Sequence, residues 1–209
     1  MAKGYWIARL DVTDPDGYKA YVAANADAFR RYGARFLVRG GHFETQEGDS
    51  RSRNVVLEFA DYAAALACYA SPEYARALAL RSGRATTDLV VVEGTEASPP
   101  AAADRSTARG YWVARVDVTE PEGYKAYVAA DAEAFEKYGG RFLVRGGKFE
   151  TKEGRSRSRN ILIEFADIAT ARACYRSPEY QRAAALRKGK ATFDLIIIEG
   201  YAGPQPTDQ

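Results

Sequence analysis

Apolar and polar residues alternate along Tyr5–Val12 (YWIARLDV), with Trp6, Ala8, Leu10 and Val12 on one face and Tyr5, Ile7, Arg9 and Asp11 on the other. That pattern predicts a first strand. After it, Thr13 or Asp14 can cap a helix with Pro15 in its first turn. Tyr18, Tyr21, Val22, Phe29 and Tyr32 then recur at helical spacing until Gly33. RFLVRGGHFET (Arg35–Thr45) reads as one second strand, bent or bulged at Gly40-Gly41. QEGDS is a turn, and Arg51–Phe59 forms a third strand hairpinned to the second. Asp61 can cap a helix carrying Leu66, Cys68 and Tyr69, and Ser71-Pro72 restarts a helical turn that runs to Gly83. DLVVVEG (Asp88–Gly94) is the last strand. The order is β-α-β-β-α-β, a ferredoxin-like unit with an antiparallel sheet and helices on one face.

The whole pattern occurs twice. A shift of about 106 residues lays Gly4–Gly94 on Gly110–Gly200 without a gap, with about 64 of roughly 91 positions identical. Residues 1–95 and 110–203 are therefore expected as two repeats. The Ala/Pro/Ser/Thr-rich residues 96–109 are expected as a linker and 204–209 as a flexible tail. The sheet face away from the helices must be covered, and two repeats in one chain can cover each other. The expected fold class is α+β: two ferredoxin-like repeats packed sheet to sheet as an intrachain dimeric α+β barrel.

Alternation also sorts the polar residues. Val55, Leu57 and Phe59 face the helices with Phe36 and Val38. Arg9, Arg39, Asn54 and Glu58 collect on the opposite face, towards the partner repeat, with Arg115, Arg145, Asn160 and Glu164 in the second copy. Charges placed there need partners. Two readings stay open: a structural salt-bridge network, and a ligand site in which Arg39 and Arg145 orient a substrate while Glu58 and Glu164 move protons. On the ligand reading, Arg9, Asn54, Arg115 and Asn160 add polar contacts. Trp6, Tyr18 and Tyr69, with Trp112, Tyr124 and Tyr175, line a pocket between helices and sheet. The plain alternative for these aromatics is core packing.

Composition narrows the classes. With 46% hydrophobic and 28% charged residues, the chain has ample material for a core, and its formal charge of +2 gives no push towards nucleic acid or an anionic membrane. Arginines 51, 53, 155, 157 and 159 make a basic hairpin tip, for which RNA contact is a third, weaker reading against a solvated turn. No apolar run approaches the roughly 20 residues of a membrane helix, and MAKGYW has no signal-peptide core, so a cytoplasmic protein is expected. Cys68 and Cys174 have no metal-type neighbours and read as small buried hydrophobes. His42 is replaced by Lys148 in the second copy, which excludes a histidine essential to both halves.

GYWIARLDVTDPDGYKAY, RYGARFLVRGG, SRSRNVVLEF, CYASPEY and DLVVVEG closely resemble the bacterial domain-of-unknown-function family numbered 1330, of the dimeric α+β barrel superfamily. The resemblance spans each repeat almost end to end. It implies homodimers in single-domain relatives and an intrachain pseudo-dimer here, with further pairing of two chains left open. The superfamily includes cofactor-independent monooxygenases, lactone isomerases and ligand-sensing domains, and no shared catalytic set transfers. The leading expectation is a barrel that binds a small organic metabolite, with no cofactor, nucleic acid or membrane partner, acting as a cofactor-free isomerase, hydrolase or oxygenase. The alternative is a non-enzymatic ligand-sensing or assembly module whose charges are structural.

Overall fold

The structure is a computed structural model describing residues 1–96 and 108–208. The first repeat runs β1 (Gly4–Val12), α1 (Pro15–Arg31), β2 (Arg35–Arg39), β3 (Phe43–Glu47), β4 (Arg53–Phe59), α2 (Tyr62–Ala70), α3 (Pro72–Arg81) and β5 (Ala85–Glu93). The second follows with β6 (Gly110–Val118), α4 (Pro121–Lys137), β7 (Arg141–Arg145), β8 (Phe149–Glu153), β9 (Arg159–Phe165), α5 (Ile168–Arg176), α6 (Pro178–Leu186) and β10 (Ala191–Glu199). Helix starts follow the sequence. Asp14 accepts from Gly17 N at 3.0 Å, Asp61 from Ala64 N at 2.7 Å and Ser71 from Tyr74 N at 3.1 Å, with Pro15 and Pro72 opening α1 and α3.

Two five-stranded antiparallel sheets form, ordered β2-β4-β1-β5-β8 and β3-β10-β6-β9-β7. Each therefore takes one strand from the other repeat. The single second strand expected from RFLVRGGHFET is two strands: β2 pairs with β4, and β3 crosses to pair with β10. The break is at Gly40 (φ +74) and Gly41 (φ +105), where only glycine turns the chain without strain. β8 returns the exchange by pairing with β5. The hairpin expected between second and third strands is thus opened into a swap, and each repeat covers the other's sheet edge.

Three cores result. One lies between each sheet and its helices, centred on Trp6, Phe29, Phe59 and Tyr74 in the first repeat and on Trp112, Phe135, Phe165 and Tyr180 in the second. The third lies between the sheets and is filled by Ile7, Leu37, Val38, Val56, Val90 and Val92 with Val113, Leu143, Val144, Leu162, Ile196 and Ile198. Cys68 and Cys174 are buried and free. Among the described residues no helix is long and apolar enough to cross a membrane.

Within the stretch expected as a flexible tail, Gln205 is hydrogen-bonded to β2, beside Tyr201 of the second repeat. Tyr201 N donates to Leu37 O at 2.8 Å, and Gln205 accepts from Phe36 N at 2.8 Å and donates to Phe36 O at 3.2 Å. Tyr201 packs edge-on against Phe36, and Pro206 is buried. The free edge of β2 supplies the backbone groups that make this possible. Most of the linker expected at 96–109 lies outside the described residues.

Candidate functional site

Each repeat holds a cleft between its helices and the helix-facing side of its sheet. The first is lined by Trp6, Tyr18, Tyr21, Phe29, Phe36 and Tyr74, with Asn25, Arg39, Arg53 and Arg81 as its polar members, and leaves a free cavity of about 40 Å³. The second has Trp112, Tyr124, Tyr127, Phe135, Phe142 and Tyr180 with Asp131, Arg145 and Arg159, and a free cavity of about 30 Å³. Trp6 Nε1 donates to Ala65 O at 2.9 Å and Trp112 Nε1 to Ala171 O at 3.0 Å, so each indole is fixed as the back wall. Tyr69 and Tyr175 sit behind it, packed on Trp6 and Trp112, with their hydroxyls turned to Lys152 O and Glu47. Of the expected pocket aromatics, Trp6, Tyr18, Trp112 and Tyr124 face the clefts; Tyr69 and Tyr175 buttress them.

The exchanged strands complete the clefts. Arg81 reaches Glu153 on β8, and Arg187 reaches Glu47 on β3 at 2.8 Å. Arg81 lies over the Tyr21 ring at 4.9 Å and Arg187 over Phe193 at 3.8 Å.

Arg39 and Glu58, expected on one face, lie on opposite faces. The register pairs Phe36 with Leu57, then Val38 with Val56 and Arg39 with Val55, leaving Leu37 as an extra residue. After this bulge Val38 faces the partner sheet and Arg39, opposite Val55, turns to the helix side. Its guanidinium sits 4.5 Å from the Phe36 ring and donates to Tyr201 Oη at 3.2 Å. β7 repeats the bulge between Phe142 and Val144, so Arg145 lies 4.4 Å from the Phe142 ring, with Asp131 Oδ1 3.8 Å from its Nη2. Strict alternation failed here because one inserted residue inverts every later face.

Glu58 and Glu164 lie between the sheets instead. Tyr5 and Arg35 are the cross-strand neighbours of Glu58; Tyr5 Oη donates to it at 3.3 Å and Arg35 stands 3.8 Å away. Tyr111 donates to Glu164 at 2.9 Å and Arg141 at 2.7 Å. Burial and the adjacent glutamates push the Tyr5 and Tyr111 hydroxyls well up, so both remain donors.

Arg9, Asn54, Arg115 and Asn160 also lie between the sheets, but with aspartates that sequence reading passed over. Arg9 meets Asp88 at 2.8 Å, and Arg51 bridges Asp88 (2.9 Å) and Asp11 (2.7 Å). In the second repeat Arg115 meets Asp194, and Arg157 bridges Asp194 (2.8 Å) and Asp117 (2.9 Å). The backbone of each opposite repeat joins in: Arg155 N donates to Asp88 and Asp49 N to Asp194. Asn54 and Asn160 hold the adjacent loops through Ser50 and Ser156. Burial pushes Asp88 and Asp194 up, but the hydrogen bonds from Arg51 and Arg157 and the neighbouring charges outweigh it and hold both below the usual 3.8. Burial, with Arg9 nearby, lowers Arg115 to about 10. Arg51 and Arg157, read as basic tip residues, are thus committed to carboxylates.

The model of the DUF1330 family, a domain of unknown function, matches residues 3–95 and again 109–201. The chain belongs to the DUF1330 family. Among solved structures, a protein assigned as a monooxygenase from Fusobacterium nucleatum is 15% identical, with 98% of this chain and 97% of that one covered and a TM-score of 0.52. An anthrone oxidase-like protein is 10% identical over 98% and 93% of the two chains, with a TM-score of 0.55. A protein assigned as a chlorite dismutase is 11% identical over 100% and 97%, also at 0.55. At these identities the likeness shows the α+β barrel fold. No curated protein matches the sequence.

One cleft residue of this DUF1330 tandem was missed altogether. Asp131, on α4, is 5% exposed and lines the second cleft, and its Oδ1 has no hydrogen-bond partner. Burial pushes its carboxyl up to about 6 despite the pull of Arg145 and Arg187. The first repeat has Asn25 there, 6% exposed. That Asn–Asp difference, the one at a buried position among the five that separate the two 17-residue helices, was the available signal. Among the described residues, no cluster of three or more His, Cys, Asp or Glu could hold a metal ion.

Proposed function

We propose that the protein binds small planar organic acids in its two helix–sheet clefts, with Arg39 and Arg145 at the mouths holding the acidic group. The observation that carries this reading is the repeated pairing of an aromatic-walled cleft with a guanidinium laid on its entrance phenyl ring, Phe36 or Phe142. Aromatic walls favour a flat apolar body, and a planar guanidinium favours a carboxylate or a polarised carbonyl. The centre of the space between the sheets is filled by aliphatic side chains with Tyr5 and Tyr111, and the charges beside it are paired with one another. Glu58 and Glu164 have no part in this reading, because each lies across the sheet from the arginine it was to serve. Arg9 and Arg115 pair with aspartates of their own sheets, and Asn54 and Asn160 hold the adjoining loops.

The fold analogy with proteins assigned as a monooxygenase and as anthrone oxidase-like is compatible with small-molecule chemistry in this architecture, and does not choose a reaction. A thermal-shift screen of aromatic and 2-oxo acids tests the binding. The expected result is a raised melting temperature that disappears in the Arg39→Met, Arg145→Met double variant, whose unliganded melting temperature stays close to that of the parent. A double variant that is simply less stable, and still responds to the acids, would sink the reading.

A further inference from the structure

The two clefts share nearly all their polar residues. Tyr18, Tyr21, Arg39, Arg53, Tyr74 and Arg81 recur as Tyr124, Tyr127, Arg145, Arg159, Tyr180 and Arg187. Asn25 and Asp131 do not match. A carboxyl group is harder to bury than an amide, and here one oxygen is left without a hydrogen bond. The first repeat shows that the same helix accommodates the neutral isostere. A buried, incompletely satisfied acid that the fold does not require, lining a cavity beside an arginine, is the arrangement of a proton-transfer group.

We infer that the second cleft carries a proton-transfer centre absent from the first, with Asp131 Oδ1 as the base and Arg145 as the oxyanion donor, acting on a planar oxo acid with an acidic C–H beside its carbonyl. This rests on the binding reading above. In the forward step the carboxylate takes the proton from carbon. The C–H electron pair becomes the new C=C bond, and the carbonyl π pair moves onto oxygen, towards the Arg145 guanidinium. The Asp131 carboxylic acid then returns the proton, to the same carbon or to a conjugated one, and the carboxylate is restored. The sequence is an enolisation or double-bond isomerisation and consumes no oxidant or reductant.

The groups around Asp131 suit this. Tyr124 and Tyr127 share its helix, Tyr180 stands on α6, Arg187 follows α6, Arg159 stands on β9 and Arg145 on β7. Cys174 on α5 is also within electrostatic reach, its thiol pushed up to about 12 chiefly by burial. The tyrosines stay protonated, held up first by burial, and Cys174 with them. Asp131 is thus the group that changes charge near neutral pH.

Phenylpyruvate, an enolisable aryl 2-oxo acid, is the probe. Its methylene hydrogens are followed by proton NMR in D2O with the intact protein, and its binding by thermal shift. The wild type is expected to exchange them faster than buffer. Asp131→Asn should still bind the acid but lose at least about tenfold of the catalysed exchange. Asp131→Glu should restore part of it, and the acid limb of the wild-type profile, near pH 6, should vanish in Asp131→Asn. Unchanged exchange in Asp131→Asn overturns the assignment and leaves binding intact. If phenylpyruvate neither shifts the melting temperature nor exchanges faster, the binding reading fails for this class of acid and the inference falls with it.

Discussion

The two clefts are built from nearly the same residues on the same scaffold, yet their polar centres are wired differently. In the first, Arg39 is engaged by the hydroxyl of Tyr201, and the helix opposite presents neutral Asn25. In the second, Tyr201 is replaced by Thr95, whose hydroxyl goes to Phe142 O, and Arg145 faces the carboxyl of Asp131. Thr87 of β5 is also replaced by Phe193, which lines the second cleft. A duplicated fold can thus hold its walls constant while a few substitutions turn one guanidinium towards the chain terminus and the other towards a buried acid. The ion-pair networks between the sheets do not diverge in this way. Arg9–Asp88–Arg51–Asp11 and Arg115–Asp194–Arg157–Asp117 match residue for residue.

The largest effects are expected where the halves agree. Asp88→Ala strands Arg9 and leaves Arg51 with Asp11 alone, Asp194→Ala strands Arg115 and leaves Arg157 with Asp117 alone, and each should cost about 3 kcal/mol. The two losses should agree within about 1 kcal/mol, measured by urea unfolding near neutral pH. Unequal losses would break the equivalence of the two halves. Both carboxyls are held below 3.8 in the folded protein, so their stabilisation is present above that value and lost as pH falls through the lower folded value. The cost of either alanine should therefore shrink in strong acid.

A smaller effect of opposite sign is expected where the halves differ. Asp131 has a folded value of about 6 against an ordinary 3.8, so folding favours its protonated form. Stability conferred on that form is complete below 3.8 and is lost as pH rises through about 6. Asp131→Asn should therefore stabilise the protein by on the order of 2 kcal/mol at about pH 8, and by little near pH 4. Asn25→Asp should destabilise with the same pH dependence, making the first cleft resemble the second. Denaturant titrations at both pH values measure this. A pH-independent effect in either variant would mean that desolvation of the acid does not distinguish the clefts.

How far the sequence revealed this follows from what each feature depends on. The repeat, the strands other than β3 and β8, the helix caps and the sheet-to-sheet packing were legible because they rest on local periodicity and on copies that align without gaps. The β3/β8 exchange was not, because pairing with a neighbour's edge leaves the same alternation as a hairpin. Arg39 and Arg145 were placed on the wrong face by one bulged residue, Leu37 or Leu143, invisible to a period-two reading. Asp88 was overlooked although it shares a face with Val90 and Val92, because only the β1–β5 register sets it opposite Arg9. The docking of the tail on β2 depends on an edge whose existence the chain order conceals.

The smallest expected effect sits at that edge. Tyr201 Oη accepts from Arg39 at 3.2 Å and donates to Pro204 O at 3.3 Å. Tyr201→Phe keeps the ring against Phe36 and removes both bonds, at a cost of about 1 kcal/mol or less, since partly exposed groups find water in exchange. The guanidinium of Arg39 then keeps its contacts with the Phe36 ring and the ring at position 201, closer to the state of Arg145 over Phe142. If the hydroxyl competes with a bound acid for Arg39, affinity in the first cleft should rise about two- to threefold, read by calorimetry in an Arg145→Met background that silences the second cleft. A fall in affinity would show instead that Tyr201 positions Arg39 for the acid, and that the tail belongs to the first site.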